Sequence, residues 1–102
     1  MVIADPKDWA NVDRYGNDVS LAMAARIQDS NRSEPVHIQI GGRPAVRYVV
    51  DGVYHARDAV FSLTCVDGNN SGYQLCGWTF KAQRATSMPR LEQISETWIE
   101  GN

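Results

Sequence analysis

The sequence predicts an α+β domain in which two short N-terminal helices (residues 1–33) precede a small antiparallel β-barrel (residues 34–102), the whole forming one domain of 102 residues. Two observations predict it. Apolar residues recur at helical spacing in the first third, and the remainder is a succession of β-rich segments punctuated by Gly, Pro and Asn. Closing such short strands into a barrel would hide edges that otherwise pair with other chains.

The first helix is expected to begin at Asp5-Pro6, because an Asp side chain caps free amides, Pro fits the first helical position and the early acid Asp8 complements the dipole. Trp9, Val12 and Tyr15 are its expected buried stripe. Gly16-Asn17 then reads as a stop, and Asp18 as the cap of a second helix carrying Val19, Ala22, Met23 and Ile27. Residues Asn31 to Pro35 form a polar break. The barrel is expected to start near Val36, where Val36, Ile38 and Ile40 alternate with His37 and Gln39.

Asp51-Gly52 is a strong two-residue hairpin signal, so Ala45 to Val50 and Val53 to Arg57 are expected to pair around it. That register sets Val46 opposite Arg57 and Tyr48 opposite His55, and it sends Arg47 and Arg57 to different faces. A second hairpin follows in CVDGNNSGYQLCGW, Cys65 to Trp78. With Asn70 and Ser71 at its turn, Cys65 faces Cys76, Leu63 faces Trp78 and Phe61 faces Phe80, all on one core-facing side. Trp78 is thus expected in the core. Arg90 to Ile94 reads as a short turn, and Glu96 to Ile99 as a closing strand.

The two cysteines fall at a hydrogen-bonded pair in this register, where disulfide geometry is hard to reach, so buried free thiols are expected. His37 and His55 stand alone, without zinc-site spacing, and no metal or other cofactor is expected. Reduced thiols and an N-terminal MVIADPKDW without basic or apolar leader features suggest a cytoplasmic protein. The formal charge of −2 gives no general basic excess, so any nucleic-acid contact must use a local patch. No apolar run approaches the ~20 residues of a membrane span. No Ser or Cys has a nearby His and acid in a recognisable motif, and no glycine-rich phosphate loop precedes a helix. The expectation is a non-enzymatic protein.

Two stretches carry a family resemblance. GYQLCGW at Gly72 to Trp78, followed by TFKAQR, and PRLEQI at Pro89 to Ile94 resemble the name-giving and closing motifs of the WYL domain, an SH3/Sm-like β-barrel of bacterial and phage-defence transcription regulators. The resemblance implies a stand-alone barrel that senses an anionic ligand, such as a nucleotide or single-stranded nucleic acid, with Arg90 and Tyr73 at matched positions. The departures are Gln74 inside the first motif, Pro89 in place of an aromatic and Gln93 in place of an arginine. Read from the residues themselves, His55, Arg57, Lys81 and Arg84 join Arg90 and Tyr73 as candidate ligand contacts. The alternative reading is a small phage or mobile-element protein that inhibits or adapts a protein partner. A homodimer through a free strand edge is also compatible with the sequence.

Overall fold

The computed structural model describes residues 1–100. It contains strands β1 (Val2–Pro6), β2 (Gln28–Arg32), β3 (Val36–Ile40), β4 (Arg43–Tyr54), β5 (Arg57–Asp67) and β6 (Ser71–Phe80). Helix α1 spans Val12–Ala24, and α2 spans Arg84–Glu96 after a 3-10 turn at Lys81–Gln83. All strand pairs are antiparallel, in the order β1-β6-β5-β4-β2, with β3 beside the first half of β4. The sheet is open, not a closed barrel: β1 bounds one edge, and β2 and β3 share the other. The expected fold class is therefore overturned.

One N-terminal helix replaces the expected pair. Asp5-Pro6 ends an edge strand instead of starting a helix, and the cap is Asn11, whose side chain accepts from the Arg14 amide at 2.9 Å. Gly16 does not stop the helix either. It lies inside α1 against β4, where an added Cβ would stand 2.3 Å from Val46 Cγ1, so the missing side chain allows helix and sheet to approach.

Helix α1 covers one sheet face, setting Tyr15, Val19 and Met23 over Val46, Tyr48, Leu63 and Cys65. Ile27, just beyond the helix, completes a second cluster with Val50, Ala59 and Phe61. The other face is covered by α2, with Leu91 over Gly77 and Met88 buried, and by a cluster of Ile40, Ala45, Val66 and Leu75 beneath Trp98. Coverage on both sides explains why β5 is buried from Ala59 through Val66.

Both hairpin registers differ from expectation. β4 runs straight through Asp51-Gly52, because Gly52 sits against Ile27 and Ser30, where a Cβ would lie 2.4 Å from Ile27 Cγ2. The turn falls instead at His55-Ala56, both at positive φ (50° and 63°). Val46 consequently faces Cys65 and Tyr48 faces Leu63, while Arg47 and Arg57 do diverge to opposite faces. In the cysteine hairpin the pairing slips by two residues: Cys65 faces Gln74, Leu63 faces Cys76 and Phe61 faces Trp78. An even slip keeps every side chain on its predicted face, but the cysteines lie diagonally and are free thiols.

The C-terminal segment is a helix, so the expected turn at Arg90 to Ile94 and closing strand at Glu96 to Ile99 are not formed. Pro89 lies inside α2, where it removes one helical amide. Arg47 ties α2 to the sheet. It is buried, donating through Nη2 to Ser95 Oγ at 2.8 Å, through Nε to Thr64 Oγ1 at 3.2 Å and through Nη1 to Glu96 Oε1 at 3.3 Å. The more polar face of the cysteine hairpin, with Ser62, Thr64 and Thr79, is buried on this side of the sheet.

Candidate interaction surface

Helix α1 is too short to cover the whole of its sheet face. Beyond its C-terminal end, β4, β5 and β6 carry Tyr54, Phe61, Trp78 and Phe80 on the same side, a consequence of the pairs Phe61 with Trp78, Ala59 with Phe80, and Tyr54 with Arg57. The rings form one connected group. Tyr54 meets Phe61 edge-on at 5.4 Å and Trp78 at 5.7 Å, Trp78 meets Phe80 at 5.1 Å, and Phe61 stacks on Trp78 at 6.0 Å. These edge-to-face arrangements suit the ring quadrupoles.

Phe61 is 8 % exposed and anchors the group, whereas Trp78 is 44 % and Tyr54 36 % exposed. The expectation that Trp78 lies in the core is thus overturned. Its face was read correctly; what failed was the step from sharing the core-facing side to lying in the core. Two cationic or polarisable groups border the rings: the Arg57 guanidinium sits 3.5 Å from the Phe80 ring centre, and the His55 ring meets Tyr54 edge-on at 4.2 Å. Arg57 takes part in no ion pair among the described residues.

Of the six candidate ligand residues, His55 and Arg57 border the aromatic group, and Lys81 and Arg84 lie together on the turn that follows Phe80. Lys81 lines a cleft with Asp29, Asp51 and Asp58, a setting unsuited to an anion. Arg84 and Arg90 are exposed on α2, Arg84 in its first turn and Arg90 in its middle. Tyr73 packs on Trp98 at 4.7 Å on the opposite sheet face, and its hydroxyl pKa is raised chiefly by its hydrogen bond to Glu100. Glu100 is shifted down, first by the Asn69 amide that it accepts from at 2.8 Å. Sequence reasoning missed Tyr54, Phe61, Trp78 and Phe80 as a surface. The spacing of Phe61, Trp78 and Phe80 was legible, but their exposure depends on where α1 ends.

Two of the cavities among the described residues lie beside β1. A mostly apolar one of about 280 Å³ opens between α2 and the β1 edge, lined in part by Met1, Val2, Gly77, Leu91, Ile94 and Trp98. A wider, polar cleft of about 580 Å³ lies between α1 and β1, with Asp5, Asp8, Tyr15 and Gln74 among its walls. Its central carboxylate is already satisfied: Asp5 Oδ2 accepts from the Tyr15 hydroxyl at 2.6 Å and from Gln74 Nε2 at 2.7 Å. Burial, then that bond, holds the Tyr15 hydroxyl well above the usual phenol range. Cys65 is pushed up to about 12 by burial, then by the nearby Asp5 and Cys76, and burial also raises Cys76. Thiols shifted in this direction are poor nucleophiles at neutral pH. Among the described residues no group of His, Cys, Asp or Glu could hold a metal ion, and no helix is long and apolar enough to cross a membrane.

No family model matches the chain, and no curated protein matches it. Among solved structures it is similar to PA94 from Pseudomonas aeruginosa, a protein of unknown function provisionally described as a regulator. The TM-score is 0.78 at 16 % identity, over 99 % of this chain and 71 % of that one, a likeness of fold.

Proposed function

We propose that the chain is a non-enzymatic binding module with a regulatory role, and that it recognises a partner protein through Tyr54, Arg57, Phe61, Trp78 and Phe80. One observation carries the reading: a connected aromatic group with exposed Trp78 and Tyr54, bordered by an arginine with no ion pair among the described residues, stands on the part of the sheet that α1 leaves bare. Trp, Tyr and Arg are the residues that dominate binding energy at protein interfaces. The partner chemistry follows from the charges: an apolar side chain for the Trp78 and Tyr54 rings, with a carboxylate beside it for Arg57. The regulator description of PA94 supports the regulatory setting.

Base stacking by a single-stranded nucleic acid fits this surface less well. A stacking platform needs free ring faces, yet Arg57 caps Phe80, Phe61 stacks on Trp78, and Tyr54 is set edge-on to both Phe61 and Trp78. Lys81 lines a cleft with Asp29, Asp51 and Asp58, and Arg90 lies in the middle of α2, so the surface lacks the continuous basic track that suits a phosphate backbone.

The test is affinity capture from the native host with the full chain, its Trp78→Ala variant and its Arg57→Glu variant, each first shown to be folded. A protein retained by the parent and lost from both variants is the expected result. Retention unchanged in both overturns the assignment of the surface. Nuclease-sensitive nucleic acid captured in place of protein overturns the partner class.

A further inference from the structure

Strand β1 leaves one sheet edge unpaired, and the atoms that face outward are fixed by its register. Met1 donates to the Cys76 carbonyl at 2.7 Å and accepts from the Cys76 amide at 2.9 Å, so Met1 and Cys76 form a hydrogen-bonded pair. Antiparallel pairing alternates, so the backbone groups of Ile3 and Asp5 also point to β6, whereas those of Val2, Ala4 and Pro6 point away. Pro6 has no amide hydrogen. The free edge therefore offers two donors, on Val2 and Ala4, and three acceptors.

The edge is apolar as well as unpaired. Met1 (77 %), Val2 (54 %) and Ile3 (37 %) are exposed there, and Ile94 (67 %) of α2 stands across the apolar cavity that Met1 and Val2 line. Natural edges are usually blunted by charge, by proline or by a cover. Here Asp5 and Pro6 blunt one end only.

We infer that two copies of this chain pair through β1 about a two-fold axis at Ile3, with Val2 of each copy opposite Ala4 of the other. Complementarity within the edge selects the second copy as occupant and sets the register. Val2 opposite Ala4 forms four backbone hydrogen bonds, engages both outward donors of each copy and leaves Pro6 outside the ladder. Shifting the axis to Ala4 would set Val2 against Pro6 and strand the Val2 carbonyl, since Pro6 has nothing to donate. The two-fold at Ile3 brings the two Ile3 side chains together at a close, non-hydrogen-bonded pair. On the opposite face it extends the wall of each apolar cavity with Ala4 of the neighbouring copy, covering Val2 and shielding Ile94. The result is one continuous twelve-stranded sheet, from two sheets of six strands. The aromatic surface lies elsewhere, so this pairing is independent of partner recognition.

Sedimentation velocity of the full chain over a concentration series tests the inference, with Ala4→Pro as the deciding variant. Proline at position 4 removes an amide that points away from β6, so the intramolecular ladder is kept and only the contact between copies is lost. The expected result is a parent dimer of roughly micromolar affinity that weakens at least about tenfold in Ala4→Pro, and that Trp78→Ala leaves unchanged. A parent that stays monomeric overturns the inference, as does a dimer indifferent to Ala4→Pro or abolished by Trp78→Ala. If Ala4→Pro does not fold, amide exchange of the parent decides: Val2 and Ala4 amides gain protection as concentration rises, and equal exchange at both concentrations overturns the proposal.

Discussion

Truncating Arg47 to Ala should cost this domain about 4 kcal/mol, and the figure can be assembled from its contacts. The hydrogen bonds to Ser95 and Thr64 join buried partners, and losing a bond of this kind costs roughly 1–1.5 kcal/mol each. The ion pair with Glu96 at 3.3 Å adds less, about 0.5–1 kcal/mol, because the Glu96 side chain is 54 % exposed and rehydrates. Loss of the packed aliphatic stem contributes about another 1 kcal/mol. For a domain this size such a loss lowers Tm by roughly 15–30 °C. The assay is urea unfolding followed by circular dichroism, with Arg47→Met and Glu96→Gln alongside. Arg47→Met keeps the stem and should lose about 3 kcal/mol, and Glu96→Gln should lose under about 1 kcal/mol. An Arg47→Ala protein within about 1 kcal/mol of the parent would refute the reasoning and leave Met88 and Leu91 as the attachment of α2.

Other changes probe the fold at single positions. Gly16→Ala should destabilise by about 1–3 kcal/mol in the same unfolding assay, because a Cβ 2.3 Å from Val46 Cγ1 outweighs the roughly 1 kcal/mol of better helix propensity. Ala56→Gly should stabilise by about 0.5–1 kcal/mol, since Ala56 sits at φ 63° in the β4–β5 turn, and an unchanged or lower midpoint contradicts that. Alkali should weaken the fold. Cys65 has a folded pKa of about 12, above its unfolded value near 9, so its contribution is intact below pH 9 and is lost as pH rises toward 12, at about 1.4 kcal/mol per pH unit. Tyr15, shifted in the same direction, steepens the loss above pH 10. Urea midpoints from pH 8 to 11 should fall less steeply in Cys65→Ala than in the parent, and parallel curves would contradict the assignment.

What was legible in the sequence is the set of side-chain faces, and what was not is what covers them. Period-2 alternation placed Phe61, Leu63, Cys65, Cys76 and Trp78 on one face, and a two-residue slip in pairing could not disturb that. The turn position was not legible. Asp51-Gly52 has the stronger local turn chemistry, yet Gly52 is required where Ile27 presses on the strand, so a tertiary contact outweighs propensity and moves the turn to His55-Ala56. Helix α2 was masked by Pro89 and by the likeness of PRLEQI to a barrel-closing motif, although Met88, Leu91 and Ser95 stand at helical intervals.

That one misreading propagates to function. With α2 read as turn and strand, the second sheet face seemed free, the sheet seemed to need closure to hide its edges, and the basic residues seemed to gather on a barrel wall. With α2 in place, Arg47 is consumed in holding it and Tyr73 is packed under Trp98. Arg90 is left on the outside of a helix, away from His55 and Arg57 on the other sheet face. The six candidates do not share one barrel wall, because the fold does not build that wall. What remains uncovered is the aromatic end of the α1 face, where helix length, not residue chemistry, determines that Trp78 meets solvent.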